Sequence, residues 1–284
     1  MLRRNNVHNL LTDISCRQQI KKSLAGKHDH LSNLYKSQLP NFIIIGAAKS
    51  ATTSLVMALK RHPDILISKS MEPKFFGRHY IRGWDWYANQ FREGEQFLLR
   101  GEASTMYSSS YGSYQNTPQL IRHHLGTIPL IYLVRHPLRR IESHWRHWRG
   151  RVECDAFKHL LSSKKLKQRL IDSSLYDKQL ERYRRWFPNQ SILCVTTEEL
   201  TTNPKTSLQV ILNFLGTEEE AKTEKMLKKG QLPLANIAGS KGRLKIDPPQ
   251  WPGDLKEKII KIIKPDTEAF LRKIQRPLDT WEWN

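Results

Sequence analysis

Apolar residues occur along the chain in two kinds of pattern. Short runs rich in isoleucine, leucine and valine at 42–46, 97–102 and 129–135 are typical of strands that are buried on both faces. The run SILCV, which begins at Ser191, predicts a further strand. We therefore expect a sheet whose strands contribute side chains to two apolar layers.

Between the strands, apolar residues recur at a spacing of three to four, which predicts helices. The first of these segments ends at Pro63, and another begins at Pro137, where proline suits the first helical turn. Further helices are predicted over 174–187, 204–216 and 255–274. Because strands and helices alternate, we expect an α/β fold with a central parallel sheet flanked by helices on both faces.

The pattern predicts one folded domain over residues 41–284, because no linker separates two self-sufficient cores. Residues 1–40 form a basic N-terminal extension that is expected to be helical or partly flexible. We expect ordered structure to begin near Pro40. Lysine, glycine and proline are frequent over 216–252, which predicts a loop there.

The net charge limits the class of partner. Of 284 residues, 47 are Lys or Arg and 27 are Asp or Glu, which leaves a formal charge of +20. This excess favours an anionic partner: a nucleic acid, an acidic glycan, a phosphorylated nucleotide or a lipid surface. The charge alone does not choose among them. An apolar fraction of 38% excludes a chain that is disordered throughout.

The three cysteines, Cys16, Cys154 and Cys194, are far apart and odd in number. A disulfide framework or a zinc site built from paired cysteines is therefore not expected. The sequence shows neither a secretory signal nor an apolar run of the roughly 18 residues that a membrane-spanning helix needs. On these grounds we expect a cytoplasmic protein without a transmembrane anchor.

The segment GAAKSATTSL joins the first predicted strand to the first predicted helix, and its small residues allow close approach of the backbone to a ligand. Its candidate anion-binding residues are Lys49, Ser50, Ala51, Thr52, Thr53 and Ser54. An ordinary strand-to-helix turn with a solvated lysine is the alternative. The segment lacks the GxxxxGK[ST] pattern of a Walker A loop, which disfavours metal-dependent hydrolysis of nucleoside triphosphates. Glu198 and Glu199, which follow a predicted strand, keep that possibility open.

Two further segments offer groups for chemistry on an anion. Arg135 at a strand end and Ser143 in the following helix suit a second phosphate, although a basic solvated helix has the same composition. In SMEPKFFG, Glu72 is a candidate general base beside a proline and two phenylalanines. A solvated surface ion pair is the alternative there.

Four segments in this order, GAAKSATTSL, EPKFF, RHPLRRIES and SKGR, resemble the sulfotransferases that use 3′-phosphoadenosine-5′-phosphosulfate, especially their heparan-type carbohydrate branch. The resemblance spans most of residues 41–283 and implies a P-loop-like three-layer fold. It implies that Lys49 contacts the oxygen that leaves with the nucleotide and that residues 50–54 line the 5′-phosphate. By the same resemblance, Arg135 and Ser143 bind the 3′-phosphate.

The resemblance also implies a general base and a lid. Glu72 matches the carboxylate that takes the proton from the acceptor hydroxyl or amine. The lid over the 3′-phosphate corresponds to Ser240, Lys241, Gly242 and Arg243. His136 departs from the family pattern, where Asp or Asn is frequent. The desulfated nucleotide, adenosine 3′,5′-bisphosphate, is the expected product, and no metal is expected to be required because side chains and amides neutralise the charge.

For the acceptor, the candidate contacts are Lys74, Trp86, Glu102 and Tyr176. Lys74 stands where relatives often have His, and Ala103 stands where they often have Lys, so the acceptor and the position sulfated stay open. We expect a carbohydrate, and the positive net charge fits an acidic one.

Two other classes of protein are alternatives. A nucleotide kinase or related NTPase would share the fold class but would use ATP and magnesium. A nucleic-acid-binding protein would account for the charge, but no helix-turn-helix, zinc-finger or RNA-recognition signature is present. A nucleic-acid partner is therefore not expected.

Overall fold

Five parallel strands form the centre of the structure, a computed structural model that describes residues 2–149, 157–217, 220–233 and 247–283. In chain order the strands are β1 (Phe42–Gly46), β2 (Ile65–Ile67), β3 (Leu99–Glu102), β4 (Leu130–Val134) and β5 (Ile192–Thr196). Their order across the sheet is β2-β3-β1-β4-β5, and each neighbouring pair is parallel. The predicted parallel sheet is therefore confirmed.

Helices connect the strands and cover both faces of the sheet. In chain order, the helices of the described residues are α1 (Leu2–Leu24), α2 (Asp29–Leu34), α3 (Thr52–Leu59), α4 (Trp84–Ala88), α5 (Thr117–Leu125), α6 (Pro137–Arg149), α7 (Lys164–Leu166), α8 (Tyr176–Arg184), α9 (Thr197–Thr202), α10 (Pro204–Phe214), α11 (Glu220–Met226) and α12 (Leu255–Lys273). None of them combines the length and the apolarity needed to cross a bilayer.

Alternate residues of β1 belong to two different apolar clusters. Ile43 and Ile45 pack in one cluster with side chains from α1, α5, α8 and α12. Phe42 and Ile44 pack in another with side chains from α3 and α10. Because successive side chains of a strand point to opposite faces, these clusters lie on the two sides of the sheet. Burial on both faces, predicted from the apolar runs, is confirmed.

The strand order places a crevice beside β1. The connection from β1 passes over β3 to reach β2, whereas the connection from β3 passes over β1 to reach β4, so the crossovers from these two neighbouring strands run in opposite directions. In parallel α/β sheets, ligands bind at such a switch point, beyond the carboxyl ends of the strands. The segments that follow β1, β3 and β4 all begin at this edge because the strands run in the same direction.

Several elements differ from the sequence prediction, among them the helices α4, α5 and α7, which the sequence did not predict. Strand β2 is only three residues long, too short for a recognisable period. Helix α9 replaces a predicted loop, because Thr196 and Glu199 form a capping box: each backbone amide donates to the other's side chain at 3.0 Å. Helix α11 lies within the segment 216–252 that was predicted to be a loop.

Ordered structure begins before Pro40, earlier than the sequence predicts. Ile20 of α1 is buried in the same cluster as β1. The buried thiol of Cys16 donates to the carbonyl of Arg78 at 2.8 Å, and Asp13 accepts from the amide of Ser113 at 2.7 Å. Helix α1, in the extension that was expected to be helical or partly flexible, is therefore docked on the domain.

Candidate active site

The loop between β1 and α3 has a backbone suited to an anion. Lys49 and Ala51 have φ values of 77° and 58°, in the left-handed region that non-glycine residues seldom adopt. Turns of this kind make concave arrangements of backbone amides that bind anions. The first amides of α3, which begins at Thr52, have no partner within the helix and carry the positive end of its dipole.

A buried hydroxyl in this loop suggests that a polar ligand sits there. Ser50 is fully buried, and its Oγ has no hydrogen-bond partner in the described structure. An unpaired buried hydroxyl is costly unless a ligand or water satisfies it. Thr52 is buried, whereas Lys49, Thr53 and Ser54 are half-buried. These residue types fit the phosphate groups of a nucleotide.

Glu72 is tied to the start of this loop through one residue. A Cβ built on Gly46 would lie 2.9 Å from the carbonyl oxygen of Thr105 and 2.2 Å from Oγ of Ser108, so this segment packs directly on the glycine. The hydroxyl of Thr105 donates to Oε1 of Glu72 at 3.1 Å. The tertiary structure therefore brings together two motifs that are far apart in sequence.

The carboxylate of Glu72 is held and yet accessible. In addition to Thr105, Nζ of Lys74 lies 2.9 Å from Oε2. About a third of each side chain of this ion pair is exposed, 34% for Glu72 and 30% for Lys74. A carboxylate that is fixed on two sides and open on the third suits proton transfer to or from a bound molecule.

Arg135 lies at the strand end beside the loop. It follows β4, the neighbour of β1, and the amide of Ala47 donates to the carbonyl of Leu133 at 2.5 Å across the two strand ends. Arg135 is half-buried, and desolvation lowers the pKa of its guanidinium. The half-buried Ser143 follows in α6. Of the two candidate residues for a second phosphate, Arg135 thus follows the carboxyl end of β4 directly, and Ser143 lies in the helix that begins two residues later.

A second arginine, Arg140 of α6, which sequence reasoning missed, forms a hydrogen bond with the backbone of the loop after β1. Arg140 is fully buried; its guanidinium donates to the carbonyl of Ala48 at 3.3 Å and to Oγ of Ser174 at 2.7 Å. The spacing in the sequence could have indicated its burial, because Arg140 and the buried His144 are four residues apart and so lie on the same face of α6. Burial, followed by the positive charges of Arg140, Arg169 and Lys49, holds the pKa of His144 well below its usual range. The charge of Lys49 is therefore felt at α6.

The structure separates the four acceptor candidates. Lys74 is partly exposed beside Glu72, and Trp86 is half-buried with the guanidinium of Arg82 4.6 Å from its ring centroid. Glu102 and Tyr176 are fully buried, which contradicts the expectation that they contact the acceptor. The resemblance matched their positions along the chain, whereas the fold turns both side chains into the core.

The remaining candidates fall into two groups. The predicted lid, Ser240 to Arg243, lies outside the described residues and stays a prediction. Glu199 closes the capping box of α9, and Oε1 of Glu198 accepts from the amide of His136 at 3.2 Å. Glu199 is thus used in capping, whereas Glu198 is engaged through Oε1 only, because its Oε2 is buried and has no hydrogen-bond partner among the described residues.

Among the described residues, three side chains form one cluster with the composition of a metal site. Asp29, His123 and His124 have ligand atoms within 4.8 Å of one another. The histidines end α5, which leads into the start of β4, so the cluster lies at the edge of the sheet opposite the loop after β1. His124 is hydrogen-bonded to Ser23 and Ser32 at 2.7 and 2.9 Å. This arrangement accounts for the cluster without an ion.

The fold and the site together define an α/β protein with an anion-binding loop after β1, basic and hydroxyl groups at the next strand end, and an accessible carboxylate beside the loop. A family model described as "Sulfotransferase domain" matches residues 39–232, more than half of the chain. The chain therefore belongs to the sulfotransferase family, and the resemblance seen in its motifs is confirmed.

Individual relatives agree with this assignment. The bifunctional heparan sulfate N-deacetylase/N-sulfotransferase 1 of Caenorhabditis elegans is 27% identical over 277 residues, which cover 88% of this chain and 32% of that protein. The heparan sulfate glucosamine 3-O-sulfotransferase 3B1 of Mus musculus is 33% identical over 187 residues, which cover 63% and 46%. The chain thus spans less than half the length of these curated relatives.

Solved structures share the fold. A sulfotransferase from Alicyclobacillus acidocaldarius matches with a TM-score of 0.67 at 24% identity, over 85% of this chain and 98% of that one. The sulfotransferase domain of an olefin synthase from Synechococcus matches with a TM-score of 0.51 at 19% identity, over 80% and 95%. The predicted P-loop-like fold, with its parallel sheet between helical layers, is confirmed.

Proposed function

We propose that this protein transfers a sulfuryl group from 3′-phosphoadenosine-5′-phosphosulfate to a hydroxyl or amine of a glycan. The observation that carries the proposal is the junction at Thr105, which packs on Gly46 of the loop and donates a hydrogen bond to the accessible Glu72. An anion-binding loop and a carboxylate in contact with one residue suit an in-line transfer with proton removal. The bound donor supplies an activated sulfate whose leaving group is a phosphate.

The donor is held at two ends in this proposal. Lys49 neutralises charge on the departing phosphate oxygen, and Ser50, Ala51, Thr52, Thr53 and Ser54 bind the 5′-phosphate through amides and hydroxyls. The orphaned Oγ of Ser50 and the left-handed backbone of the loop support this assignment. Arg135 and Ser143 bind the 3′-phosphate, and Ser240, Lys241, Gly242 and Arg243 close over it. Preorganised donors of this kind stabilise developing charge without reorganisation.

Glu72 acts as the general base for the acceptor. Its carboxylate keeps an exposed side while Thr105 and Lys74 fix its position, so an acceptor hydroxyl or amine can approach it. A positioned base of this kind typically contributes about 10²- to 10⁴-fold to the rate. Since the charge is neutralised by lysine, arginine and backbone amides, the proposed reaction requires no metal.

An acidic glycan fits the acceptor side. The chain has a net charge of +20, and two of its relatives are named for heparan sulfate, an acidic glycan. Lys74 contributes a cation beside Glu72, and the Arg82–Trp86 pair offers a guanidinium and a ring face for a charged sugar. The cytoplasmic location expected from the sequence stays a prediction.

A transfer assay with labelled donor tests the proposal. We expect label to pass to an acidic glycan in a panel that also contains neutral glycans, lipids and small alcohols. Calorimetry adds a second measurement: adenosine 3′,5′-bisphosphate should bind well and ATP poorly, because only the former has phosphates for both ends of the site. Preferential binding of ATP with magnesium, together with phosphoryl transfer, would favour the nucleotide kinase instead.

A further inference from the structure

The fully buried Glu102 at the end of β3 is surrounded by hydroxyl groups. Its Oε1 accepts from the hydroxyls of Tyr87 at 2.7 Å and Tyr107 at 3.0 Å, and its Oε2 accepts a short hydrogen bond from Ser104. Hydrogen bonds to a charged acceptor are about twice as strong as neutral ones. Three donors on one carboxylate are enough to offset much of the cost of burying its charge.

Two of these hydroxyls also bind the backbone that follows Glu72. The amide of Lys74 donates to Oγ of Ser104 at 2.8 Å, and the amide of Phe76 donates to the hydroxyl of Tyr107 at 3.0 Å. An amide can only donate, and a hydroxyl has a single proton. Each chain of hydrogen bonds therefore runs in one direction, from the amide to the hydroxyl and from the hydroxyl to Glu102.

The backbone held in this way is bent just after the base. Lys74 has a φ of 56°, in the left-handed region, and its side chain pairs with Glu72. On the far side of the bend, the ring of Phe75 stacks on that of Tyr87 with centroids 4.2 Å apart. Packing fixes the phenylalanine end of the segment, and the two hydrogen-bond chains fix the bend itself.

We propose that Glu102 is a positioning residue for sulfuryl transfer: through Ser104 and Tyr107, its buried carboxylate holds the backbone bend that places Glu72 beside the anion-binding loop. The inference rests on the proposed function, since it assumes that Glu72 is the base. Because a displacement of about 1 Å at a reacting group can cost as much as about 100-fold in rate, the arrangement has a direct kinetic consequence.

Two tyrosines provide a matched pair of variants. Tyr87 and Tyr107 are both fully buried, and both donate to the same oxygen of Glu102, but only Tyr107 also accepts an amide from the segment after Glu72. We expect Tyr107→Phe to lower kcat about tenfold and Tyr87→Phe less than about threefold. Affinity for adenosine 3′,5′-bisphosphate should change little in either variant. Equal losses of kcat would overturn the proposal.

A double-mutant cycle separates positioning from general damage to the fold. When Glu72→Gln has removed the base, Tyr107→Phe should lower the residual kcat by less than about twofold, because nothing is left to position. A purely structural effect of Tyr107→Phe would persist at full size in that background, and such a result would contradict the inference. Thermal denaturation of each variant checks that it is folded.

The pH profile gives a further test. Burial raises the pKa of Glu102 to about 7 despite its three hydroxyl donors, and the charge of Glu72 adds to this increase. The other titratable groups near Glu102 are Tyr87, Tyr107 and Tyr183, whose pKa values are raised by burial, so they stay neutral. Protonated Glu102 must direct its own proton at one of the hydroxyls, which then has to turn. We expect wild-type kcat to fall as the pH drops below about 7.

Glu102→Gln should abolish the fall of kcat below about pH 7, because glutamine does not titrate. It should also lower kcat at pH 8, because the NH2 group of glutamine is itself a donor and cannot accept a hydrogen bond from a hydroxyl. If kcat of Glu102→Gln still fell below about pH 7 as in the wild type, the proposed role of Glu102 would be refuted. Hydrogen exchange in residues 72–77 provides a measurement that does not need activity: exchange should be faster in Tyr107→Phe than in Tyr87→Phe. If the wild type transfers no sulfuryl group but the two variants differ in hydrogen exchange as expected, the proposed function fails, whereas the support of residues 72–77 by the hydrogen bonds to Glu102 is upheld.

Discussion

The buried guanidinium of Arg140 donates a hydrogen bond to the backbone carbonyl of Ala48, 3.3 Å away, and so connects helix α6 to the loop after β1. The same side chain donates to Ser174 at 2.7 Å. Its guanidinium also donates to the backbone carbonyls of Arg169 and Leu170 and lies 3.1 Å from Nδ1 of His144. These acceptors are uncharged, so the planar fork of donors serves geometry as well as charge. The shape of the anion-binding loop therefore depends on a residue outside that loop.

Replacement of Arg140 tests this dependence. Arg140→Lys keeps the charge but cannot reproduce the fork, so we expect affinity for adenosine 3′,5′-bisphosphate to fall about tenfold and thermal stability to decrease. Calorimetry and thermal denaturation are the measurements. Arg139→Lys, at the exposed neighbouring position, is the control and should leave both nearly unchanged. Equal effects of the two substitutions would show that only the charge of the helix matters.

Substitution of the proposed base should separate binding from turnover. Glu72→Gln preserves the shape of the side chain but removes its ability to take a proton, so kcat should fall by about 10²- to 10⁴-fold. Affinity for adenosine 3′,5′-bisphosphate should stay within about twofold, because Glu72 makes no contact with the nucleotide in the proposed site. Glu257→Gln, at an exposed position in α12, is the matched control. Undiminished turnover in Glu72→Gln would exclude it as the base.

Lys49 is expected to act both in binding and in the chemical step. Because its ammonium group neutralises the departing phosphate, Lys49→Ala should raise the dissociation constant of the donor and lower kcat in single-turnover experiments, each by about tenfold or more. Lys60→Ala, at the exposed end of α3, serves as the control. A variant with weaker donor binding and normal single-turnover kcat would restrict Lys49 to binding.

Removal of divalent metal ions should not affect the transfer. In the proposed site, Lys49, Arg135 and backbone amides neutralise the charge, so activity should be the same in excess chelator as in added magnesium. The measurement is the initial rate of sulfuryl transfer after dialysis against chelator. Complete loss of activity that magnesium restores would contradict this account and would support the nucleotide kinase alternative.

Local patterns were enough to predict the framework of the site. The run 42–46 shows its burial through composition alone, and the small residues that follow it mark a loop before a helix. Strand β2 and helix α9 escaped prediction for opposite reasons: the first is too short to show a period, and the second begins at a capping box inside a segment that resembles a loop. The resemblance then supplied roles for residues such as Glu72 that spacing could not.

The errors concern side chains whose direction depends on distant parts of the chain. Glu102 and Tyr176 were expected to contact the acceptor, but both side chains are fully buried and form hydrogen bonds inside the protein. Arg139 and Arg140 are identical neighbours in sequence, yet the first is exposed and the second is fully buried. Which of two adjacent arginines enters the core follows from the helix phase and from the groups that the fold provides as acceptors.

The sequence by itself determined the alternation of strands and helices, the anion-binding character of the loop after β1, and the identity of the family. These properties arise from short-range spacing, since strand and helix periods and loop residue types act over a few positions. Only the tertiary structure decided that Thr105 joins Gly46 to Glu72 and that Glu102 supports the segment after the base. Such contacts link residues about 30 or more positions apart, and they exist only because parallel strands bring their carboxyl ends to one edge of the sheet.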